Sequence, residues 1–361
     1  MFSFFHSPFR IPRSALRILF LLSLAAGCRT AAPPPVSLQW PVMDTVASVS
    51  VPTADAASLP DRRDVVQPVF ADIERRFSVF RPDSDLARLN AAAGQPDGAA
   101  LSPDVASVME YALRLSAESG GAFDPTVGPL MAVWGFRGGS IRKVPSPDDL
   151  AAARSQVGWT NVTHAAADPR RFILPRAGMR LDLGGIAKGY AVDVAFDALR
   201  RAGPPAFLVD LGGNLRAWGE ASPGRGGWRT GVRDPFAAGA AILGTLILTN
   251  GEAIATSGNY ERYVVIDGQR YGHIMDPRTG RPAAGMAGVT VLAPAGIESD
   301  ALTKPMYLMG PEQGAALLRR HPGCEALWVP DARPTRLIAT AGFARRFTPL
   351  PEYREALTVV K

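Results

Sequence analysis

Cysteine is scarce in this sequence, which contains only Cys28 and Cys324 among its 361 residues. Two cysteines cannot build a disulfide framework, and they are too few for a cysteine-based metal site. Because Cys28 ends an apolar N-terminal segment, Cys324 is left without a partner, and we expect no intramolecular disulfide. Histidine is also rare, and the four histidines do not cluster in the sequence: His6, His164, His273 and His321.

The common nucleotide and hydrolase motifs are missing as well. The sequence has no GxGxxG after a strand and no GxxxxGK[ST] loop, so it supports neither a Rossmann dinucleotide site nor a P-loop. HExxH and GxSxG are also absent, which removes most of the support for a metalloprotease or an α/β-hydrolase.

The composition is that of a folded protein. Hydrophobic residues make up 47% and charged residues 20% of the chain, which is too apolar for intrinsic disorder. The length allows one large domain or two domains that share an interface. The 36 glycines and 32 prolines follow no repeat, which excludes collagen and predicts many turns.

The N-terminal segment is typical of an export signal. Residues 1–27 contain three arginines and no acidic residue. The arginines are followed by an apolar run over 18–26, which is too short to span a bilayer. Small residues precede Cys28, as in bacterial lipoprotein signals, although a plain secretory signal with a chance cysteine is the alternative. We therefore expect an exported, membrane-anchored lipoprotein facing the periplasm or cell exterior, with a Pro-rich tether over 28–40.

The basic charge of the chain depends partly on this segment. Removal of residues 1–27 lowers the formal net charge from +6 to +3. The high pI is therefore no argument for nucleic acid, and we expect no nucleic-acid partner.

Helical and strand patterns alternate irregularly along the rest of the chain. Apolar spacing and cap residues predict helices over 62–77, 103–120, 188–201 and 299–309, the first and last despite Pro68 and Pro305. Strands are expected over 46–51, 207–209 and 243–249, and a hairpin turns at Asp267-Gly268. The absence of a regular βαβ repeat favours an α+β fold over a doubly wound sheet.

A glycine-rich segment from Asp182 to Tyr190 precedes the helix over 188–201. Its glycines allow close approach to a ligand, the helix N-terminus favours anions, and Lys188 adds a cation, a combination that suits a phosphate or pyrophosphate. The alternative is a tight strand-to-helix turn with a surface lysine.

Two further segments carry titratable residues. His273 follows the predicted hairpin beside an acidic residue, where it acts either as a general base or as a structural histidine. Glu298 and Asp300 precede an apolar stretch, where they either cap a helix or hold a hard cation.

Seven blocks of sequence, in order, resemble the ApbE family of FAD:protein FMN transferases. The resemblance runs from about residue 43 to residue 310 and is carried by these segments: FSVFRPDSDLARLN (77–90), FDPTVGPLMAVWGF (123–136), LDLGGIAKGYAVD (181–193), LVDLGGN (208–214), ATSGNYERY (255–263), HIMDPRTGRP (273–282) and SDAL (299–302). It implies a single large α+β flavin-transferase domain of mixed sheet and helices, which we place over 41–345, with a C-terminal tail over 346–361.

The resemblance also implies a reaction and a set of site residues. The family binds FAD and, with Mg²⁺, transfers FMN to a threonine (or serine) of an acceptor protein, releasing AMP. The implied contacts to FAD are Met43, Phe80, Phe123, Asp124, Pro125, Asp182, Lys188 and Ile274. Gly185 and Asp300 match the positions that hold Mg²⁺, and His273 and Asp300 are the expected catalytic residues.

The sequence departs from the family pattern at two places. Met43-Asp44-Thr45 replaces a usual Met-Gly-Thr, and Lys304 stands where the family has a metal-binding threonine four residues after Asp300. Thr303, one position earlier, is then the candidate for the third metal ligand. Lys304 keeps one alternative open, an exported FAD-binding protein without transferase activity. A second alternative is a hydrolase that splits FAD into FMN and AMP with water as the acceptor.

Overall fold

Helices and strands are mixed along the chain in the structure, a computed structural model that describes residues 33–137, 143–237 and 239–360. The strands are β1 Val36–Val42, β2 Thr45–Val51, β3 Ala99–Ala100, β4 Thr163–Ala165, β5 Asp168–Ile173, β6 Phe207–Leu211, β7 Asn214–Trp218, β8 Trp228–Arg233, β9 Ile242–Leu248, β10 Ala253–Gly258, β11 Tyr263–Ile266, β12 Gln269–Gly272, β13 Met275–Asp276, β14 Arg281–Pro282, β15 Met286–Ala293, β16 Glu325–Pro330, β17 Leu337–Ala339, β18 Thr348–Pro349 and β19 Leu357–Val359. The α-helices are α1 Leu59–Phe77, α2 Asp85–Ala91, α3 Pro103–Glu118, α4 Gly128–Val133, α5 Pro147–Ser155, α6 Ala187–Ala202, α7 Gly296–Leu318 and α8 Ala341–Arg346.

A nine-stranded sheet forms the centre of the fold, in the order β1-β2-β6-β7-β10-β15-β16-β17-β19. Its neighbouring strands are antiparallel except β17 and β19, which are parallel. A mainly antiparallel sheet with helices packed on it is an α+β architecture, which confirms the predicted fold class.

The folded unit begins at Pro34 and is longer at both ends than the domain expected from the sequence. Residues 36–40, assigned above to the tether, belong to β1, and β1 pairs with β2 along its whole length. Residues 357–359, assigned to the tail, form β19 beside β17. The predicted signal over 1–27 and Cys28 lie outside the described residues.

The two faces of the sheet bury different cores. Val289 and Val291 of β15 belong to a large core shared with α1, α3, α6 and α7. Leu292 belongs to a smaller core shared with β8, β9 and α8. Alternate residues of a strand point to opposite faces, so β15 has a helical layer on one side and a strand-rich layer on the other.

The predicted helices and the hairpin are confirmed with small changes at their ends. Pro68 lies inside a continuous α1, and Pro305 lies inside α7. The backbone leaves helical geometry at Gly310 (φ 74°, ψ −177°), where the predicted helix over 299–309 stops. Asp267 and Gly268 both have positive φ, as a two-residue type I′ hairpin turn requires.

Within the described ranges, none of the α-helices combines the length and the apolar character needed to cross a membrane.

Candidate active site

The glycine-rich loop that begins at Asp182 leads directly into the N-terminus of α6. The Gly184 N–H donates to the Asp182 Oδ1 at 2.8 Å, which fixes the turn before the helix. The helix then begins at Ala187, with Lys188 in its first turn. The helix dipole makes such an N-terminus attractive to anions, and the Lys188 ammonium adds a full positive charge.

Two glycines let α6 and α7 approach closely at this point. A Cβ on Gly189 would overlap the Gly296 carbonyl oxygen and would lie 2.6 Å from the Asp300 Cβ. The close approach allows the Gly189 N–H to donate to the Asp300 Oδ2 at 2.9 Å. The carboxylate of Asp300 is therefore held at the N-terminal end of α6, beside the glycine-rich loop.

The N-terminus of α7 is capped by Asp193 of α6. Its Oδ1 accepts from the Gly296 N–H at 2.6 Å and its Oδ2 from the Ile297 N–H at 2.8 Å. Arg216 of β7 pairs with the same carboxylate at 2.7 Å. Asp193, rather than Glu298 or Asp300, therefore accepts the first two N–H groups of this helix.

Lys304 and Asp300 form a buried ion pair one helical turn apart. The Lys304 Nζ contacts the Asp300 Oδ1 and donates to the Asp300 carbonyl at 3.0 Å. The Lys304 Cε would lie 3.3 Å from a Cβ on Gly185, so the lysine side chain runs across the glycine-rich loop. Burial by itself raises the pKa of Asp300, but the charges of Lys188 and Lys304 outweigh it and the pKa is lowered. The carboxylate is therefore ionised.

The structure places Thr303, the candidate third metal ligand, in a different environment. Its hydroxyl donates to the Asp300 carbonyl at 2.7 Å and lies 2.8 Å from the Ser257 Oγ of β10. The side chain is fully buried. The Thr303 hydroxyl is thus already used in fastening α7 to the sheet.

An aromatic and a cationic side chain form a second part of the site. Phe80 is 62% exposed, and the guanidinium of Arg137 lies over its ring, 5.3 Å from the centroid. Arg137 also forms an ion pair with Asp182. Burial lowers the pKa of Arg137 to about 10, so the guanidinium remains charged at neutral pH. Phe80 is thereby joined through Arg137 to the glycine-rich loop.

The segment 123–125 supports this loop from beneath. The Asp182 N–H donates to the Pro125 carbonyl at 2.7 Å, and the Phe123 ring would lie 3.6 Å from a Cβ on Gly185. The Asp124 carboxylate instead accepts from Thr126 and from the Trp159 N–H at 3.2 Å. We assign Asp124 to the construction of the turn, because these hydrogen bonds occupy both of its oxygens.

A two-residue turn between β1 and β2 contributes the next side of the site. Met43 and Asp44 have positive φ values of 52° and 57°. This conformation explains why a glycine suits position 44 and why aspartate, which tolerates it better than most residues, replaces it here. Asp44 pairs with Arg262 at 3.0 Å, which places the turn beside the segment that holds His273.

His273 is oriented by the backbone of Arg262. The His273 Nδ1 lies 3.1 Å from the Arg262 carbonyl oxygen. A carbonyl only accepts, so Nδ1 carries the proton and Nε2 keeps its lone pair. Burial, helped by the charges of Arg262, Lys188 and Lys304, lowers the pKa of His273 to about 3. The imidazole is therefore neutral, with Nε2 able to accept a proton.

Ile274 and Glu261 lie close to His273 in the sequence and have different roles. Ile274 is buried in the large core, and its carbonyl accepts from the Ala283 N–H at 2.7 Å.

Loss of hydration raises the pKa of Glu261 to about 7, against the opposing charges of Lys188 and Lys304. The charges of Lys188 and Lys304 thus lower the pKa of Glu261 and the pKa of His273 alike.

Most predicted site residues meet, and the structure adds others. The glycine-rich loop, Asp300 and the His273 segment surround one charged cluster, whereas the Asp124 carboxylate and the Thr303 hydroxyl are used in local bonds. Sequence reasoning missed Arg137, Glu261 and Arg262 as site residues. A signal was available, because Arg137 directly follows the block 123–136 and the other two lie inside the block 255–263.

Comparison with known proteins identifies what this chain is similar to. The sequence profile described as the ApbE family matches residues 43–328. An FAD:protein FMN transferase of Treponema pallidum is 37% identical over 287 residues, which are 76% of this chain and 77% of the relative. The crystal structure of the ApbE protein of Thermotoga maritima is 29% identical, with a TM-score of 0.76 over 87% of this chain and 99% of that one. The flavin transferase ApbE of Vibrio cholerae is 28% identical, with a TM-score of 0.75 over 87% of this chain and 100% of that one.

Proposed function

Because this chain belongs to the ApbE family, we propose that it is an FAD:protein FMN transferase, which moves FMN from FAD onto a threonine or serine of an acceptor protein and releases AMP. The observation that carries the proposal is the meeting of a cationic helix N-terminus with a neutral, oriented histidine. The first suits a pyrophosphate, and the second suits the hydroxyl that attacks it.

The pyrophosphate of FAD is bound at the start of α6. Lys188 and the helix N-terminus provide positive charge there, and the glycines of the loop leave the backbone open to close approach. Burial is the main cause of the low pKa of His273, and the charges of Lys188 and Lys304 lower it further. As the phosphates bind, their negative charge offsets this contribution of the two lysines. Substrate binding therefore makes His273 a stronger base.

The flavin ring is bound at Phe80 and the turn at Met43. Phe80 is exposed, although an aromatic side chain of its size gains by burial, and Arg137 holds the ring from one side. Stacking of an isoalloxazine ring on Phe80 would bury this surface. Asp182 contributes by holding Arg137 in place, and Phe123, Pro125 and Ile274 form the buried support beneath the site.

The transfer step is a displacement at phosphorus. The acceptor hydroxyl oxygen attacks the FMN-side phosphorus and gives its proton to the His273 Nε2. The bond between that phosphorus and the bridging oxygen breaks, and its electron pair leaves with AMP. The His273 proton then goes to a phosphate oxygen of AMP or to water, which restores the neutral imidazole.

The Mg²⁺ expected from the family resemblance does not fit the donor set of this chain. Asp300 Oδ1 is paired with Lys304, Oδ2 accepts from Gly189, and the Thr303 hydroxyl is bonded to Ser257. In the described part of the chain, no group of three or more His, Cys, Asp or Glu residues could hold a metal ion. A hard dication prefers several free oxygen ligands, and the Gly185 carbonyl alone does not supply them. We therefore derive no step through Mg²⁺.

Product analysis after incubation with FAD separates the proposal from its two alternatives. A transferase releases AMP only when an unmodified acceptor protein is added. A hydrolase releases AMP and FMN from FAD without an acceptor. A binding protein returns intact FAD in both incubations, and either of these last two results contradicts the proposal.

We further propose that the chain is exported and anchored to a membrane through a lipid on Cys28. The support is the basic and apolar pattern of residues 1–27 and the small residues before Cys28. Labelling of cells with a radioactive fatty acid tests this, since Cys28→Ser should abolish label that the unchanged chain incorporates. Equal labelling of both chains would contradict it.

A further inference from the structure

Lysine is rare in this chain, and half of its lysines lie at the active site. The sequence has 39 Lys and Arg residues together, of which only Lys143, Lys188, Lys304 and Lys361 are lysines. Arginine thus supplies nearly all positive charge elsewhere. An ammonium is compact, whereas a guanidinium is a broad planar fork. The compact ammonium of Lys304 therefore fits the limited space beside Gly185 of the glycine-rich loop better than a guanidinium would.

The contacts of Lys304 hold its ammonium in one position. The Nζ contacts the Asp300 Oδ1 and donates to the Asp300 carbonyl, while the side-chain stem lies against Gly185. An ammonium has three N–H donors, so one remains beyond these two contacts in the described structure. The side chain is 17% exposed, against 2% for Asp300. Lys304, rather than Asp300, is the partner that a ligand above the loop can reach.

The same contacts oppose a divalent cation at this place. Both oxygens of Asp300 are already bonded, and a dication on Oδ1 would have to displace the ammonium or lie beside it. Two like charges about 4 Å apart repel strongly in a partly buried site. The ion pair with Lys304 therefore competes directly with metal binding at Asp300.

We propose that the Lys304 ammonium supplies, in place of a divalent cation, the positive charge that stabilises the pyrophosphate of FAD, and that this chain transfers FMN without Mg²⁺. This inference rests on the proposed function and specifies how its site works. Lys304 donates its remaining N–H to a phosphate oxygen, Lys188 binds the other side of the pyrophosphate, and Asp300 positions Lys304. The bonds that form and break are those of the transfer step above.

Binding measurements test the inference without reference to activity. Calorimetric titration of the purified full-length chain with Mg²⁺ should give no binding heat at millimolar concentrations, and the Kd of FAD should be the same in EDTA and in Mg²⁺. Lys304→Met should weaken FAD binding by about 10- to 100-fold, the effect of losing a charge-assisted hydrogen bond, and leave riboflavin binding unchanged. Lys143→Met, at an exposed lysine that is not one of the site residues, is the matched control and should change neither.

A second variant protects the test against misfolding. Lys304→Met leaves the buried carboxylate of Asp300 unpaired, which destabilises a protein. The double variant Asp300→Asn/Lys304→Met removes both charges together and should show the same selective loss of FAD binding. Lys304→Thr should acquire Mg²⁺ binding, because it frees Asp300 and adds a hydroxyl.

Transfer assays separate failure of this inference from failure of the proposed function. Equal transfer in EDTA and in Mg²⁺ supports the inference. Transfer by the unchanged chain only in Mg²⁺ overturns it and leaves the proposed function intact. Absence of transfer in both conditions overturns the proposed function, and the binding measurements then still decide whether Lys304 or a metal ion holds the pyrophosphate. Tight Mg²⁺ binding by the unchanged chain, or FAD binding that Lys304→Met leaves unaltered, also overturns the inference.

Discussion

The glycine contact between α6 and α7 gives the sharpest prediction about how the site is built. In an isolated helix, Gly189→Ala would be favourable by about 1 kcal/mol. Here the new methyl group would overlap the Gly296 carbonyl oxygen and lie 2.6 Å from the Asp300 Cβ. Carbon atoms normally stay about 3.5–4.0 Å apart, so the two helices must separate by roughly 1 Å.

The expected cost follows from these two opposing effects. Overpacking of this kind costs about 1–3 kcal/mol. The cost is at the upper end here, because the Gly296 carbonyl and the Asp300 Cβ cannot move aside without moving α7. After the helix gain, the free energy of unfolding should fall by about 2 kcal/mol. The separation also breaks the hydrogen bond from Gly189 to Asp300, so FAD binding should weaken at the same time.

Urea unfolding and FAD titration measure both effects, with Gly288→Ala as the matched control. A Cβ on Gly288 would have its nearest neighbours at 3.8–4.0 Å, which is ordinary contact. The control should therefore stay within about 0.5 kcal/mol of the unchanged chain. If Gly189→Ala proves as stable as the control and binds FAD equally well, the close approach of α6 and α7 does not position Asp300.

Three further substitutions test individual groups of the site. Lys188→Met should weaken FAD binding by at least about 10-fold and riboflavin binding hardly at all, by fluorescence titration, since its partner is the pyrophosphate; equal losses would make the loop structural. His273→Ala should leave the Kd of FAD nearly unchanged and slow transfer by about 10²–10⁴-fold in a single-turnover assay, the usual worth of a general base; undiminished transfer would remove His273 from the reaction. The pKa of Glu261 is about 7 in the folded chain and 4.5 in its ordinary state. Between these pH values the folded chain therefore binds more protons at this residue than the unfolded chain does. Relative to Glu261→Gln, the unchanged chain should lose stability as the pH rises from about 5 to 8 in urea unfolding, and parallel pH profiles would refute this.

The local parts of the fold were predictable because each depends on residues close together in the sequence. Apolar spacing located α1, α3, α6 and the first half of α7, and a two-residue turn signal located the β11–β12 hairpin. The ends of the domain were not predictable in this way. β1 begins within a proline-rich stretch and β19 pairs in parallel with β17, so both depend on partners that local propensity does not reveal.

The site was predictable in its loops and less so in its side-chain geometry. Asp300 and Lys304 are four residues apart on a helix, and that spacing alone predicts that they face each other. Thr303, three residues after Asp300, is also its neighbour by this rule, so the bond of its hydroxyl to Ser257 was not predictable from the spacing. The contact of Arg137 with Phe80 joins segments far apart in the sequence, and it became visible only in the folded chain.

The most direct test of the central claim is the intact mass of an acceptor protein. The purified full-length chain would be incubated with FAD and with an unmodified acceptor domain, one that a characterised flavin transferase is known to modify. The incubation would be done in EDTA and in Mg²⁺. The account predicts that the acceptor gains the mass of one FMN less one water, located on a threonine or serine by fragmentation, with one AMP released per modified acceptor. An acceptor of unchanged mass in both conditions would contradict the account, whether FAD remains intact or is hydrolysed without modification of the acceptor.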